Sequence, residues 1–290
     1  MVKINNLEIY TSKIKNDIRL MICSDLHLTK EKKYTNSFKN LYKIINCNKI
    51  DYNNLDCIII PGDLVNNIME LKDKNFKEKF IKTMNEYTKG IPTFISYGNH
   101  EMLTKDKNGK WDLTYKEILR ETLSSLSNIK IIENGDRIDL GNLSFSAFTP
   151  EIKYYLGKKE NIDYYLKEYQ IYCQNKFDKS RYNIFLTHDP QAIIKLSKEK
   201  NTCIHPNTDL VISGHMHNGL LPNCLKPITK NRGLISPKMK LFPNFAQGEY
   251  KFDYTDFIIA GPVNTRVENS IINNLYGTNA TILTLKKIKK

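Results

Sequence analysis

The chain has 290 residues, of which 40% are hydrophobic and 26% are charged, the composition of a folded, soluble protein. No apolar run approaches the roughly 20 residues that a transmembrane helix needs, which excludes a membrane span, and the N-terminus lacks the apolar region of a signal peptide. Six widely spread cysteines without a CxxC pair favour a reducing cytoplasm over a disulfide framework. We therefore expect a cytoplasmic location.

The net charge of +13, from 44 Lys and Arg against 31 Asp and Glu, suits anionic partners. Nucleic acid, a phospholipid surface and phosphorylated small molecules all belong to this class. The lysines are spread along the chain and do not form one block. We therefore interpret the charge mainly as compositional bias.

The first half of the chain alternates predicted strands with predicted helices. Apolar runs rich in β-branched residues predict strands, and apolar residues at helical spacing predict helices. In chain order they are strands 4–10 and 17–24, helix 36–50, strand 55–60, helix 70–88, strand 92–96 and helix 113–127. This alternation favours a sheet flanked by helices.

The second half begins with three short predicted strands, 129–133, 136–140 and 143–148. Turn signals at Asn134-Gly135 and Gly141-Asn142 predict that they form an antiparallel meander. After them we predict helix 160–178, strands 182–187 and 209–213, a loop 218–247 that contains several prolines, and strands near 249–252, 256–260 and 280–288. We predict a single domain over residues 1–290, with residues 149–181 and 218–247 as cap or loop elements on the substrate side.

Five short motifs follow predicted strands and hold five of the six histidines. They are Asp25-Leu26-His27, Gly62-Asp63, Gly98-Asn99-His100-Glu101, His188-Asp189 and Gly214-His215-Met216-His217. Residues i and i+2 of extended backbone point to the same side, so a carboxylate and an imidazole at that spacing can bind one ion. Repeated metal-ligand residue types at strand exits predict one metal site assembled from five loops, at the edge where open α/β sheets bind ligands. His205 lies outside these motifs, and we interpret it as a loop residue.

In this order the motifs resemble the calcineurin-like metallophosphoesterase superfamily, whose pattern is D-x-H, G-D, G-N-H-[ED], H and G-H-x-H. The resemblance implies a four-layer α/β/β/α sandwich of two mixed sheets flanked by helices, with the metal site at strand C-terminal ends. It also implies two divalent metal ions. One would be bound by Asp25, His27, Asp63 and His217, and the other by Asp63, Asn99, His188 and His215.

The same resemblance makes His100 the proton donor rather than a metal ligand, with Glu101 orienting it or tuning its pKa. Asp189 is expected to bond the other nitrogen of a ligand histidine. Many relatives have G-D-x-x-D, often followed by Arg-Gly, whereas this chain has Asn66 at the second acidic position. This departure argues against a protein Ser/Thr phosphatase and leaves open what orients His100.

Two further stretches bear on the substrate. Residues 149–181 contain tyrosines that form either a stacking surface for nucleotides or the core face of a helix, and their spacing favours the core. They are Tyr154, Tyr155, Tyr164, Tyr165, Tyr169 and Tyr172. The region from Pro237 to residues 256–262 resembles a bacterial subgroup that acts on phosphodiesters and lipid-linked pyrophosphates. Those relatives often have an N-terminal membrane anchor. This sequence starts almost directly at its first predicted strand, so we expect peripheral membrane contact at most.

The predicted function is a dinuclear metal-dependent phosphoesterase that hydrolyses phosphodiester or pyrophosphate bonds with a metal-bridging hydroxide and His100 as proton donor. Mn²⁺, Fe²⁺ and Zn²⁺ all suit its nitrogen and oxygen ligands. The expected substrate is a small-molecule phosphodiester, a pyrophosphate or a lipid-linked phosphate. One alternative is a nuclease acting on DNA or RNA, which the basic charge suggests. Another is a catalytically inactive metal-binding scaffold, which the presence of His100 disfavours.

Overall fold

The computed structural model describes most of the chain. The described residues are 2–31, 36–105, 109–111, 113–156, 165, 168–169, 177–200, 208–222, 225–229, 231–237, 239, 241–265 and 277–288. Most of the predicted helix 160–178 and His205 lie outside them. None of the helices in these ranges is long and apolar enough to cross a membrane.

The first sheet has six strands, and the last strand of the chain lies between the first two. Its members are β1 (Val2–Thr11), β2 (Ile18–Ile22), β3 (Cys57–Pro61), β4 (Thr93–Ser96), β5 (Ile129–Ile131) and β12 (Thr278–Lys287). The order across the sheet is β1-β12-β2-β3-β4-β5. Strands β2 to β5 are parallel, while β12 is parallel to β1 and antiparallel to β2.

The second sheet also has six strands. They are β6 (Arg137–Leu140), β7 (Leu143–Ala147), β8 (Tyr182–Leu186), β9 (Leu210–Ser213), β10 (Gly248–Phe252) and β11 (Thr255–Ile259). The order is β10-β11-β9-β8-β7-β6. The four central strands are parallel, and the edge strands β6 and β10 are antiparallel to their neighbours.

Seven helices are described in addition to 3-10 turns. They are α1 (Asn36–Ile45), α2 (Lys74–Thr88), α3 (Asn99–Met102), α4 (Tyr115–Leu123), α5 (Ile152–Leu156), α6 (Gln191–Lys200) and α7 (Lys226–Thr229). Helix α6 has no counterpart among the helices predicted from the sequence. Helices α1, α2 and α4 bury Phe38, Phe80 and Leu119 against the outer face of the first sheet.

Side chains that alternate between the two faces of each strand explain how the sheets pack against each other and against the helices. In β2, Leu20 and Ile22 point into the core between the sheets, whereas Met21 points to the helices outside, because successive side chains of a strand face opposite sides. Between the sheets, the rings of Phe94 and Phe145 stack with their centroids 4.0 Å apart. The prediction of two mixed sheets flanked by helices is confirmed.

The predicted antiparallel meander is wrong for its first strand. Strand β5 pairs in parallel with β4 in the first sheet, and only β6 and β7 form an antiparallel pair. The chain passes between the sheets at Asn134, whose side chain exchanges hydrogen bonds with the backbone of Thr149 at 2.7 and 2.8 Å. The Asn-Gly signal therefore marks a crossover, because β5 completes a parallel β-α-β unit with β4 and α4.

The predicted position of the motifs at strand exits is confirmed. Strands β2, β3 and β4 deliver the loops of Asp25, Asp63 and Asn99, while β8 and β9 deliver those of His188 and His215. Because the strands within each group are parallel, their C-terminal ends meet at one edge.

Candidate metal centre

Hydrogen bonds between loops fix the positions of Asp25 and Asp63, the two carboxylates predicted to bind metal. The N–H of His27 donates to the carbonyl of Asp63 at 2.9 Å, which joins the loops after β2 and β3. The carboxylate of Asp25 accepts the backbone N–H of His215 at 3.2 Å, and that of Asp63 accepts the backbone N–H of His100 at 2.8 Å. Both carboxylates are buried. Four loops therefore fix their orientation.

Strained backbone coincides with the predicted ligands. Of the twelve non-glycine residues with positive φ in the described ranges, five are predicted ligands. They are Asp25, His27, Asp63, His215 and His217, with φ between 41° and 66°. Each such residue costs about 1–3 kcal/mol, and such residues cluster at ligand-binding and active sites. No sequence signal marks this strain.

The first candidate cation site lies between Asp25, His27, Asp63 and His217, whose ligand atoms are all within 4.8 Å of one another. The Nε2 atoms of His27 and His217 face each other at 3.2 Å. The Nε2 of His217 lies 3.4 Å from Asp25 Oδ1, and that of His27 lies 3.6 Å from Asp63 Oδ2. The four side chains converge as the ligands of one ion would.

The second candidate site lies between Asp63, Asn99, His188 and His215. The Nε2 of His188 is 3.1 Å from Asp63 Oδ2, 3.1 Å from Asn99 Oδ1 and 3.2 Å from His215 Nδ1. Ligand atoms at a typical metal distance of about 2.1 Å lie about 2.9–3.4 Å apart in octahedral or tetrahedral geometry. These residues therefore fit a cation, and Asp63 belongs to both sites.

Hydrogen bonding and burial suit the imidazoles to bind cations. The Nδ1 of His188 donates to the carbonyl of Pro61 at 2.8 Å, which turns Nε2 to the cluster. Burial lowers the pKa of His215 to about 4 and also lowers the pKa of His217. Both rings are therefore neutral at pH 7, the form that binds metals.

Opposite charges couple His188 to Asp63. Burial alone would lower the pKa of His188, but the Asp63 carboxylate raises it to about 10. Burial alone would raise the pKa of Asp63, but the charge of His188, then of His100 and His27, lowers it well below its usual value. Asp63 therefore stays ionised, as a bridging ligand must.

At this edge, neighbouring atoms lie so close to Gly98 and Gly214 that a side chain would not fit at either position. A Cβ on Gly98 would overlap the carboxylate of Asp63, and a Cβ on Gly214 would overlap the hydroxyl of Ser24 beside Asp25. Neither glycine has a positive φ. Space, not backbone conformation, therefore requires glycine at both positions.

Glu101 holds the loop that carries Asp63. Its buried carboxylate accepts four backbone N–H bonds, from Asp63 at 3.0 Å, Leu64 at 2.7 Å, Val65 at 3.2 Å and Gly98 at 2.7 Å. Burial, followed by the charge of Asp63, raises the pKa of Glu101 to about 7, against the effect of the backbone donors. Its hydrogen bonds thus go to the metal-binding loop.

His100 lies beside the first cluster and takes its orientation from Asn66. Its ring packs edge-on against His27, with the centroids 4.6 Å apart. The Nδ1 of His100 bonds the backbone carbonyl of Asn66 at 2.8 Å. A carbonyl only accepts, so Nδ1 carries hydrogen and Nε2 is the nitrogen that gains and loses a proton. His100 also lines the cavity at this edge.

Asp189 and Asn264 support the ligand loops from outside. Asp189 Oδ2 lies 3.8 Å from the Nε2 of His215, on the far side from the cluster, and accepts the hydroxyl of Tyr154 at 3.2 Å. Asn264 donates to the carbonyls of Leu26 at 2.5 Å and Ser37 at 3.1 Å, which ties the Asp25 loop to α1. Asn264 was not among the residues predicted from the sequence, although its loop also follows a parallel strand, β11.

A cavity of about 330 Å³ opens over both clusters. Its lining contains both polar and apolar residues. Its apolar or aromatic lining residues are Leu103, Tyr155, Met216, Leu220, Ile235 and Pro237. Tyr154, Tyr165 and Tyr169 are buried in the core, as the spacing indicated, whereas Tyr155 lines the cavity.

The structure brings together every residue that the motifs singled out as a ligand or proton donor. These are Asp25, His27, Asp63, Asn99, His100, His188, His215 and His217. They come from five loops and from both sheets. Two carboxylate and imidazole clusters that could each hold a cation therefore lie together at the strand ends of an α/β sandwich. Such clusters are typical of hydrolytic enzymes that use metal ions.

Sequence comparison identifies the family. The model for the calcineurin-like phosphoesterase family matches residues 18–219, more than half of the chain. The chain belongs to the calcineurin-like phosphoesterase family and is a hydrolase that acts on phosphoric ester bonds. No curated protein matches the sequence.

Solved structures show distant similarity. A dimetal phosphatase from Danio rerio is 11% identical, with a TM-score of 0.45, over 85% of this chain and 88% of that chain. A sulfate thiohydrolase from Thermus thermophilus, in complex with glycerol, is 10% identical, with a TM-score of 0.46, over 86% of this chain and 52% of that chain. The family assignment rests on the sequence match alone.

Proposed function

We propose that the protein is a dinuclear metal-dependent phosphoesterase that hydrolyses phosphodiester or pyrophosphate bonds. The observation that carries the proposal is that the buried carboxylate of Asp63 belongs to two ligand clusters at once. We assign one cation to Asp25, His27, Asp63 and His217, and the second to Asp63, Asn99, His188 and His215. Two divalent cations held by these residues would supply an activated water and polarise the phosphoryl oxygens.

Charge at the centre supports an anionic substrate. Asp25 and Asp63 would neutralise only half of the charge of two divalent cations, because the Asn99 amide is neutral and an imidazole, that of His188 included, binds a cation only after losing its extra proton. The centre therefore keeps a positive charge that attracts a phosphate ester. Asp25 and Asp63 are buried, so solvent would screen the net charge of the centre only weakly.

His100 donates the proton to the leaving group in this proposal. Its Nδ1 is held by the carbonyl of Asn66, so that protonated Nε2 is the donor. The ring lines the cavity next to His27, within the reach of a substrate bound there. Proton donation of this kind contributes roughly 10²–10⁴-fold to the rate.

The cavity lining favours a diester, or a pyrophosphate in which both phosphates are substituted and carry one charge each, over a monoester. None of the cavity-lining residues that the structure describes is Lys or Arg, so none of these described side chains is a cation that could pair with the second negative charge of a monoester. The apolar lining residues, among them Leu103 and Ile235, suit organic groups on the substrate. The segments 149–181 and 218–247 both contribute residues to this lining. This supports the proposal that the chain is one domain in which these two segments lie on the side where the substrate binds.

Hydrolysis of bis-p-nitrophenyl phosphate and of p-nitrophenyl phosphate tests this function. With Mn²⁺, Fe²⁺ or Zn²⁺ added, we expect faster hydrolysis of the diester. Asp63→Asn should lose both the activity and the bound metal, whereas Asp253→Asn, an exposed aspartate in a turn, should keep them. Full activity of Asp63→Asn would refute the proposal, and faster hydrolysis of the monoester would refute the substrate preference.

The metal and the location are further parts of the proposal. Carboxylate, imidazole and amide ligands suit Mn²⁺, Fe²⁺ and Zn²⁺, and elemental analysis of the purified protein distinguishes them. Cys23, Cys47 and Cys57 are free thiols, which supports a reducing cytoplasm. Fractionation of cells that produce the protein tests this location.

A further inference from the structure

Exposed apolar side chains are concentrated in one loop. In the described ranges, ten large hydrophobic residues are exposed, and five of them lie in residues 225–242. This stretch includes the one-turn helix α7, and we name it the 225–242 loop. Leu225, Ile228, Met239, Leu241 and Phe242 expose 38%, 79%, 76%, 70% and 66% of their surface. Single exposed apolar residues are ordinary, but a concentration of them marks an interaction site.

The second half of this loop is a small hairpin fixed to the metal-binding edge. The N–H of Phe242 donates to the carbonyl of Leu234 at 2.8 Å, and Ile235 forms a β-bridge with Leu241. At the base, the N–H of Leu234 donates at 2.7 Å to the carbonyl of Gly219, in the loop that follows β9. The exposed side chains are therefore carried by hydrogen-bonded backbone beside the candidate cation sites.

The hairpin separates a cavity side from an exposed side. Ile235 and Pro237 line the cavity over the two clusters. Met239, Leu241 and Phe242 are not part of that lining and are exposed. Whatever contacts these three side chains therefore lies next to the candidate active site.

The sequence of the loop is basic as well as apolar. It contains five basic residues and no acidic one: Lys226, Lys230, Arg232, Lys238 and Lys240. Arg232 is exposed. At an anionic lipid surface, apolar side chains enter between the headgroups and basic residues gain attraction from the surface charge. Both requirements meet in this one loop.

We propose that the 225–242 loop docks the protein onto an anionic lipid surface. Four of the five exposed apolar residues are aliphatic or thioether side chains, which offer no ring for a nucleobase to stack on, and this favours lipid over nucleic acid. The surplus of positive charge favours an anionic bilayer over an uncharged apolar partner. Docking goes beyond the proposed hydrolysis and does not depend on it. It would hold the cavity close to phosphate groups in the lipid layer.

Co-sedimentation of the full chain with lipid vesicles tests the docking. We expect binding to vesicles of phosphatidylcholine mixed with phosphatidylglycerol, little binding to phosphatidylcholine alone, and weaker binding in high salt. Each basic residue near the surface contributes about fivefold to partitioning, so Arg232→Glu should lower it more than fivefold. Replacing Met239, Leu241 and Phe242 together with serine should lower it about tenfold or more.

Tyr10→Ser is the matched control. Tyr10 is 64% exposed, close to the value for Phe242, and lies near the end of β1. Strand β1 runs opposite to β2, so Tyr10 is at the sheet edge away from the metal centre. This variant should bind vesicles like the wild type. The triple serine variant should still hydrolyse a water-soluble diester at the wild-type rate.

Three results would overturn the docking proposal: no vesicle binding, equal binding to neutral and anionic vesicles, or full binding by the triple serine variant. If an oligonucleotide displaces the protein from vesicles, the loop binds nucleic acid in preference to lipid, and the proposal is wrong. The Asp63→Asn variant should bind vesicles as the wild type does. Failure of hydrolysis and failure of docking are therefore observed separately.

Discussion

The ring nitrogen Nδ1 of His100 bonds the main-chain carbonyl of Asn66 across 2.8 Å. The side chain of Asn66 points elsewhere, since its Nδ2 donates to Glu31 at 3.0 Å. The residue type at this position is therefore free to change without loss of the bond to His100. This explains how the chain orients its proposed proton donor without the second acidic residue of the G-D-x-x-D pattern.

The first prediction distinguishes the role of the Asn66 backbone carbonyl from the role of its side chain. His100→Gln should lower kcat for a diester by roughly 10²–10⁴-fold, because the proton donor is lost. Asn66→Ala should change kcat only a few-fold, because the carbonyl remains. Steady-state kinetics of both variants at saturating metal measures this, and an equally large loss in Asn66→Ala would contradict it.

The second prediction concerns the carboxylate of Glu101. Glu101→Gln removes a charged acceptor of four backbone N–H groups and can set its own amide hydrogens against them. We expect a loss of about 1–3 kcal/mol in the free energy of unfolding, measured with urea, together with weaker metal binding. Glu8→Gln, at an exposed position, should stay within about 0.5 kcal/mol of wild type.

The third prediction tests the close approach at Gly98. Gly98→Ala would place a methyl group against the Asp63 carboxylate and should abolish binding of at least one cation. Gly90→Ala is the control, since nothing lies within 4 Å of its added methyl group. With φ at 77°, it should cost only about 1–2 kcal/mol of stability. Calorimetric titration with Mn²⁺ compares the two, and unchanged stoichiometry in Gly98→Ala would count against the assignment.

The fourth prediction concerns removal of metal. Chelation should lower the melting temperature, because bound cations stabilise the folded state by about 4 kcal/mol when present at a thousand times their dissociation constant. Re-addition of Mn²⁺ should restore it. In Asp63→Asn the chelator should have a much smaller effect, and an equal shift in both proteins would argue against cations at this centre.

The fifth prediction concerns thiol reactivity. Burial raises the pKa of Cys23 to about 12, and that of Cys57 is also raised by burial. Cys47 is only half-buried. In native protein, iodoacetamide should therefore label Cys47 well before Cys23 and Cys57, which should react only in denaturant. Peptide mapping by mass spectrometry reads each site, and early labelling of Cys57 would show that the sheet core opens more easily than expected.

The sequence predicted the strand exits better than the sheet pairing. Apolar runs located β2, β3, β4, β8 and β9, and the polar residues after them marked the metal-binding edge. The pairing of β5 was missed because an Asn-Gly turn signal reports a local bend. It does not report which sheet the next strand joins. That choice depends on the pairing of β5 with β4, a contact between segments that are far apart in the sequence.

Local sequence was also a poor guide to the partner of Glu101. Its position next to His100 suggested that the two side chains interact. In the helical turn of α3, however, consecutive residues point in different directions. Glu101 therefore turns to the Asp63 loop, and His100 turns to Asn66. The exposure of Met239 and Phe242 was likewise not predicted, because the burial of a loop residue depends on tertiary packing and the local sequence carries no periodic pattern that reports it.

The ligands of both clusters are divided between the two sheets, with Asp25, Asp63 and Asn99 on the first and His188 and His215 on the second. Each bound cation would therefore act as a cross-link between layers that otherwise meet mainly through interdigitated apolar side chains. Sliding of one layer over the other would break coordination bonds on both sides at once. Metal loading should thus make the two halves of the sandwich unfold as one cooperative unit.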